Sequence, residues 1–384
     1  MMPARSAYCL HAAHCFAAVL LCGVLMLAGG PAHAQPGFGV EVNYMGGRVF
    51  KHSKNFLAEV PPYSQAVEVN FIQQTYGKKQ WQQRRRYPLW GAGLVATNYG
   101  DNAVLGTCYG INANLQIPFV RAGRFEWTGR FGAGISYVTR RFSLAPEWDT
   151  LNTAISSHFN NFTLFATDLR YFLNDHWAVQ VGGHFSHISN GALRQPNLGI
   201  NFYGLHAGVR WYPHSRNPPR IADPNLPRLS NRWLAQARLG FSFTESGYAN
   251  GPLYPVGIAT VYASKRYASK NKALIGLDAS VHPKVYAFMR ANEVEPGKER
   301  AGSWKAAVFV GHEWLMGRAG LQVQVGYYIK RAWLNGGDIY QKLGANYYLI
   351  RREHGALKEL FVSCFLKTHL AQAELGEFAI GWGF

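Results

Sequence analysis

Long apolar runs are what this chain most lacks. After residue 34 no stretch approaches the roughly 18 apolar residues that a membrane helix needs, and apolar residues at helical spacing are equally scarce. Cysteine is scarce too. Of five, Cys9, Cys15 and Cys22 fall within the first 34 residues, leaving Cys108 and Cys364, one in each half. Two cysteines make no disulfide framework, and they read as small apolar residues, buried or facing lipid. Metal-ligand patterns are missing as well. The stretch HEWLM at 312 lacks the second histidine of a zinc helix, and His184 and His187, three apart on a strand, face opposite ways. No metal and no other cofactor is expected. Acidic charge is short, with 21 Asp and Glu against 39 Lys and Arg, a formal net charge of +18.

What is present begins with Arg5, an apolar segment from Phe16 to Leu27 and the small-residue run GGPAHA. This is the pattern of a secretory signal spanning 1–34 and cut after Ala34. Leu21, preceding Cys22, argues against a lipoprotein signal. Loss of Arg5, the only Lys, Arg, Asp or Glu in that segment, takes the net charge from +18 to +17. The remainder is rich in Gly (41), Phe (23), Tyr (21) and Trp (11), arranged in segments of about ten residues that alternate with the period of a strand. In FEWTGRFGAGISY, Phe125, Trp127, Phe131, Ile135 and Tyr137 share one face, while Glu126, Thr128, Arg130 and Ser136 share the other. LQVQVGYYI splits the same way, with Gln322 and Gln324 on its polar face.

The segment EFAIGWGF places Phe378, Ile380, Trp382 and Phe384 together. It resembles the C-terminal assembly strand of bacterial outer-membrane proteins, and so implies the barrel assembly machinery as a partner. A secreted chain that crosses lipid without helices must close its strands into a barrel. The expected fold is therefore all-β, an antiparallel transmembrane outer-membrane β-barrel, with a periplasmic β-sandwich as the competing soluble fold. Eight strands are expected between 39 and 213 and about eight more from 233 to 384. The segment 215–231, rich in Pro and Asn, reads as a linker. The chain thus divides into a first barrel region (35–214), the linker and a second barrel region (232–384). Two architectures fit: one barrel of about 14–16 strands, or an eight-stranded barrel followed by a second strand-rich unit.

One stretch breaks the polarity pattern. In HFSHISNGALRQPNLGIN, 184–201, the odd positions Trp177, Val179, Val181 and Phe185 of the same strand face lipid, yet His187 and Ser189 are also odd. In the returning strand Tyr203, Leu205, Val209 and Trp211 put Asn201 on that face as well. Polar residues at a membrane rim are one reading. Nucleophilic catalysis is the other: residues i and i+2 of a strand are same-face neighbours, so His187 can act as general base toward the Ser189 hydroxyl, with Asn201 orienting the imidazole.

The run HISNGALRQPNLGIN, through His187, Ser189, Asn190, Gln195, Pro196, Asn197 and Gly199, resembles the active-site hairpin of the outer-membrane lipid A 3-O-deacylase (PagL) family. The resemblance covers about the first half of the chain and implies an ester hydrolase. It makes Ser189 the nucleophile and His187 the base, and assigns Asn190, Asn197 and Gly191 to the oxyanion and substrate-binding site. Asn201 stands where the family carries a glutamate. An asparagine can hold a tautomer but brings no charge, so Glu147 and Asp149 of a neighbouring loop are alternative sources of a carboxylate.

The basic balance suits the phosphates of lipopolysaccharide rather than nucleic acid, with Lys51, Lys54, Arg140 and Arg141 as phosphate-binding candidates. Arg84 to Arg86 fall on a predicted periplasmic turn. Lys367 and His369 read as rim residues or as a second headgroup cluster. The expected function is an outer-membrane serine esterase acting on lipid A near the outer leaflet. A phospholipase and a non-catalytic pore lined by Gln322 and Gln324 are the alternatives.

Overall fold

The computed structural model describes residues 37–144, 148–216, 219–226, 231–370 and 372–384. The expected leader and Glu147 lie outside the described residues. Strands β1 (Phe38–Val49), β2 (Ser64–Gln74), β3 (Leu89–Asn98), β4 (Thr107–Ala122), β5 (Phe125–Val138), β6 (Phe159–Phe172), β7 (Trp177–Ser189) and β8 (Ile200–Trp211) pair in chain order, and β8 returns to β1. The second series is β9 (Trp233–Glu245), β10 (Leu253–Ala268), β11 (Asn271–Val281), β12 (Trp304–Met316), β13 (Ala319–Lys330), β14 (Ile339–Arg351), β15 (Glu359–His369) and β16 (Gln372–Gly383), with β16 closing on β9. Among the described residues, three short helices interrupt the connections: α1 (Gln80–Arg84), α2 (Pro283–Ala291) and α3 (Glu299–Gly302).

The single barrel of 14–16 strands is thereby corrected to two closed barrels of eight. The reason lies in the pairing. β8 meets β1 over the whole run from Val40↔Trp211 to Val49↔Phe202, so the first sheet has no free edge when the chain leaves β8. The second then closes on itself through contacts such as Phe378↔Phe241.

Alternation sets the two faces. Phe125, Trp127, Ile135 and Tyr137 are exposed on β5 while Glu126, Thr128, Arg130 and Ser136 are buried. Phe378 and Ile380 point outward from β16 as Glu377 points in. An outward apolar belt with every backbone group paired around the ring is what hydrocarbon tolerates, and no helix among the described residues is long and apolar enough to cross a membrane.

An eight-stranded barrel is only wide enough for side chains to fill, and these are filled. In the second barrel Gln322 donates to Gln324 Oε1 at 3.1 Å, and Gln324 donates to the Tyr340 hydroxyl at 2.9 Å. The watery pore lined by these two glutamines is therefore corrected to a packed polar interior. Lys342 there bridges Asp278 (2.8 Å) and Glu377 (2.7 Å).

The first barrel is layered. One layer is an ionic network in which Arg130 meets Glu68 at 2.7 Å, Arg170 meets Glu126 at 2.6 Å and Arg210 pairs with Glu41. Toward the end where β7 and β8 meet, the lumen turns apolar. Ile188, Ile200, Phe202, Phe162 and Leu164 pack there with Phe56, Ala154 and Ile155, which the connections 50–63 and 139–158 drop into the barrel. That plug ties both loops down beside the β7–β8 hairpin.

Candidate active site

The register of the hairpin determines the site. His187 lies directly opposite Asn201 across β7 and β8, and Ser189 lies opposite Asn161 across β6 and β7. Directly opposed residues hold their Cβ atoms within about 5.5 Å, and alternation sends all four side chains to the outer face of the barrel, away from the plug.

There they form a continuous relay. The Ser189 hydroxyl donates to His187 Nε2 at 3.0 Å. His187 Nδ1–H donates to Asn201 Oδ1 at 2.6 Å. Asn201 Nδ2 donates to His52 Nδ1 at 2.9 Å, and His52 Nε2–H donates to the Leu198 carbonyl at 3.0 Å. The tautomers follow from these partners. The Leu198 carbonyl can only accept, which puts the His52 proton on Nε2 and leaves Nδ1 to receive the Asn201 amide. The Asn201 oxygen then faces His187 and places its proton on Nδ1, leaving Nε2 free to accept from the Ser189 hydroxyl. Ser189 is buried, and Asn161 flanks it from the other side: Asn161 Oδ1 accepts the Ser189 backbone N–H (3.2 Å) and its amide reaches Ser189 Oγ at 3.3 Å.

The loops are fastened to this relay. Phe50 N–H donates to the Asn201 carbonyl at 2.8 Å and Gly199 N–H to the Ala154 carbonyl at 2.9 Å. Thr153 accepts from Leu57 N–H (3.0 Å) and donates to the Asn55 carbonyl (2.7 Å). Gly199 has φ +80°, and a Cβ there would stand 2.6 Å from His187 Cε1. Gly199→Ala is therefore expected to displace the imidazole and lower turnover by roughly tenfold to a hundredfold, with the barrel still folded by heat-modifiable gel mobility.

The residues read as an oxyanion site are gathered here but not alike. Asn190 is engaged internally: its N–H donates to Asn197 Oδ1 at 2.9 Å, and its amide donates to Ser156 Oγ (3.1 Å) and the Arg194 carbonyl (3.2 Å). Asn197 Nδ2, by contrast, is buried without an acceptor. Gly191 adopts φ +64° in the turn just after Ser189. Lys51 and Lys54 are exposed on the loop that carries His52, and Arg140 and Arg141 stand on the other fastened loop, Arg140 exposed and Arg141 half-buried.

Asp149 is not joined to His187. Its carboxylate accepts from Asn152 N–H at 3.3 Å, and burial pushes its pKa up against the pull of Arg140. Glu147 lies outside the described residues. Lys367 and His369, read as rim or headgroup residues, instead turn into the second barrel, where Glu374 pairs with both, at 3.5 and 2.9 Å. His52 and Asn161 escaped the sequence reading. A cavity of about 390 Å³, lined by Arg121, Arg216, Arg220 and Glu126, lies at the opposite mouth of the first barrel. The relay needs no such cavity if its substrate lies against the barrel wall.

The sequence profile of the lipid A 3-O-deacylase (PagL) family matches residues 65–210, and that of the acyloxyacyl hydrolase C-terminal domain matches residues 231–384. The first half of the chain matches the PagL family. The family makes this chain an ester hydrolase of the outer membrane, with its PagL region in the first barrel and its C-terminal domain as the second. Among solved structures, Neisserial surface protein A is 12% identical, covering 46% of this chain and 96% of its own, with a TM-score of 0.30. A mutant porin of Rh. blastica is 14% identical, covering 90% and 99%, with a TM-score of 0.20. No curated protein matches.

Proposed function

We propose that this PagL-family barrel is a serine esterase that removes an ester-linked acyl chain from lipid A in the outer leaflet, the chain on the 3-oxygen that the family name designates. The observation that carries the reading is the Ser189–His187–Asn201 relay on the outer face of β7 and β8, the face that elsewhere carries the exposed apolar residues.

Ser189 Oγ attacks the ester carbonyl carbon as its proton passes to His187 Nε2. The developing oxyanion is received by Asn197 Nδ2, the buried donor that lacks an acceptor, and by the N–H of Gly191. Collapse expels the sugar oxygen, which takes the proton back from His187 and leaves an acyl-Ser189. Water, deprotonated by His187, then attacks the acyl carbonyl, and the proton returns to Ser189 Oγ as the fatty acid departs. Asn201 Oδ1 holds the His187 proton in place throughout. The basic loops that carry Lys51, Lys54, Arg140 and Arg141 stand at the same end and suit the phosphates of lipid A. The loop-bearing end is accordingly assigned to the cell exterior, and β16 to engagement with the barrel assembly machinery.

A phospholipase is the competing enzyme. In mixed micelles of lipopolysaccharide and phosphatidylethanolamine, the purified chain is expected to release fatty acid from lipopolysaccharide alone. Equal release from the phospholipid overturns the substrate assignment.

A further inference from the structure

The catalytic loop is held from outside its own barrel. Glu245, the last residue of β9, is completely buried. Its two carboxylate oxygens take up separate donors on the loop after Ser189: Oε1 accepts from Arg194 Nη1 at 2.7 Å, and Oε2 accepts from the Gln195 backbone N–H at 2.6 Å. Arg194 Nη1 also reaches the Gly251 carbonyl of the β9–β10 connection at 3.4 Å. From there the contacts lead back to the nucleophile. The Arg194 carbonyl and N–H meet the Asn190 side chain at 3.2 and 3.4 Å, and Asn190 N–H holds Asn197 Oδ1 at 2.9 Å. The turn at Gly191 lies against the wall of the second barrel, where a Cβ would find the Gly376 backbone at 3.5 Å and Leu366 Cδ1 at 3.8 Å.

The barrels are also fastened at the other end. Arg85, just after α1, donates to the Lys270 carbonyl at 2.7 Å and to the Leu315 carbonyl at 3.2 and 3.1 Å. With attachments at both ends, the second barrel is placed to fix the loop rather than merely to brush it.

Resting on the esterase reading above, we propose that Glu245 of the second barrel is a positioning residue for hydrolysis on the first. It clamps residues 190–197 so that Asn197 Nδ2 and the Gly191 N–H stay directed at the oxyanion formed on Ser189. Glu245 touches no reacting atom. Its effect appears where charge develops, in the transition state, so its loss lowers kcat and leaves KM nearly unchanged.

The test uses the full chain in detergent. Glu245→Ala is expected to lower kcat by roughly tenfold to a hundredfold with KM within about twofold, the size of effect that misplacement by an ångström produces. Glu245→Gln, which keeps an acceptor for one donor, falls between it and the wild type. Arg194→Ala is expected to cost less and to add nothing to Glu245→Ala, because the two act through one contact. Labelling of Ser189 by a fluorophosphonate, which builds charge on the same oxyanion donors, slows in parallel. A folded Glu245→Ala protein with wild-type kcat overturns the proposal, as does a full additional loss from Arg194→Ala on that background. Should Glu245→Ala fail to fold, Glu245→Gln decides by the same criteria. If Ser189→Ala keeps its activity, the esterase reading itself fails. If Ser189→Ala is inactive while Glu245→Ala turns over normally, only the clamp is wrong.

Discussion

Ser189→Ala is expected to lower ester hydrolysis by on the order of 10⁴-fold or more, the scale on which loss of a nucleophile falls in serine hydrolases. His187→Ala should match it, since each residue is inert without the other, and the double variant should be no worse than either single one. The barrel should survive both changes. Ser189 and His187 project from the outer face of β7, whereas the first barrel's interior is held by Ile188, Phe202 and the Arg130–Glu68 pair. Heat-modifiable mobility together with fatty-acid release from lipopolysaccharide separates loss of chemistry from loss of fold. A Ser189→Ala protein that still deacylates removes the catalytic assignment altogether.

The second large effect is expected at Asn201. Its oxygen, 2.6 Å from His187 Nδ1, is what keeps the proton off Nε2. Without it the imidazole is free to take the tautomer that cannot accept from Ser189, and Asn201→Ala is expected to lose roughly 10²- to 10³-fold in kcat. The charge question has its own variant. Asn201→Asp keeps an oxygen where Oδ1 now stands and adds a negative charge beside the imidazolium that forms during attack. It is expected to raise kcat by about tenfold, because an adjacent opposite charge favours the protonated base. The family's glutamate, placed by Asn201→Glu, has the same charge on a longer side chain and should gain less. His52 holds only the far side of the Asn201 amide, so His52→Ala should cost less than Asn201→Ala. A slower Asn201→Asp enzyme would mean that the neutral amide is required, and that the family's carboxylate does not suit this site.

Much of this was legible because a strand has a period of two. Parity alone places Glu126 and Arg130 inside and Trp127 and Ile135 outside, and it marks His187, Ser189 and Asn201 as polar residues on the wrong face. Closure was not legible. Whether β8 returns to β1 or passes on to β9 depends on pairings 150 or more residues apart, such as Val49↔Phe202, and no local pattern encodes them. The same closure delivers His52, because the chain leaving β1 must cross Asn201 at Phe50; from sequence alone His52 is one histidine in a basic loop. Asn161 was within reach, since it is odd-numbered like Phe159 and Phe165 on the outward face of β6. Its role depends on the register with Ser189, however, which the turn between β6 and β7 sets. The inward turn of Lys367 and His369 follows the parity of β15, whose odd positions Phe361, Ser363 and Phe365 are buried as well, and Glu374 at the start of the next strand receives both.

The most direct test compares the mass of lipid A from Gram-negative cells that express the full chain with that from cells expressing Ser189→Ala at equal levels in the outer membrane. The account predicts that the wild-type chain shifts lipid A to a species lacking one ester-linked acyl chain, and that the Ser189→Ala cells keep the parent mass. The same shift in both, or no shift in either, would contradict it.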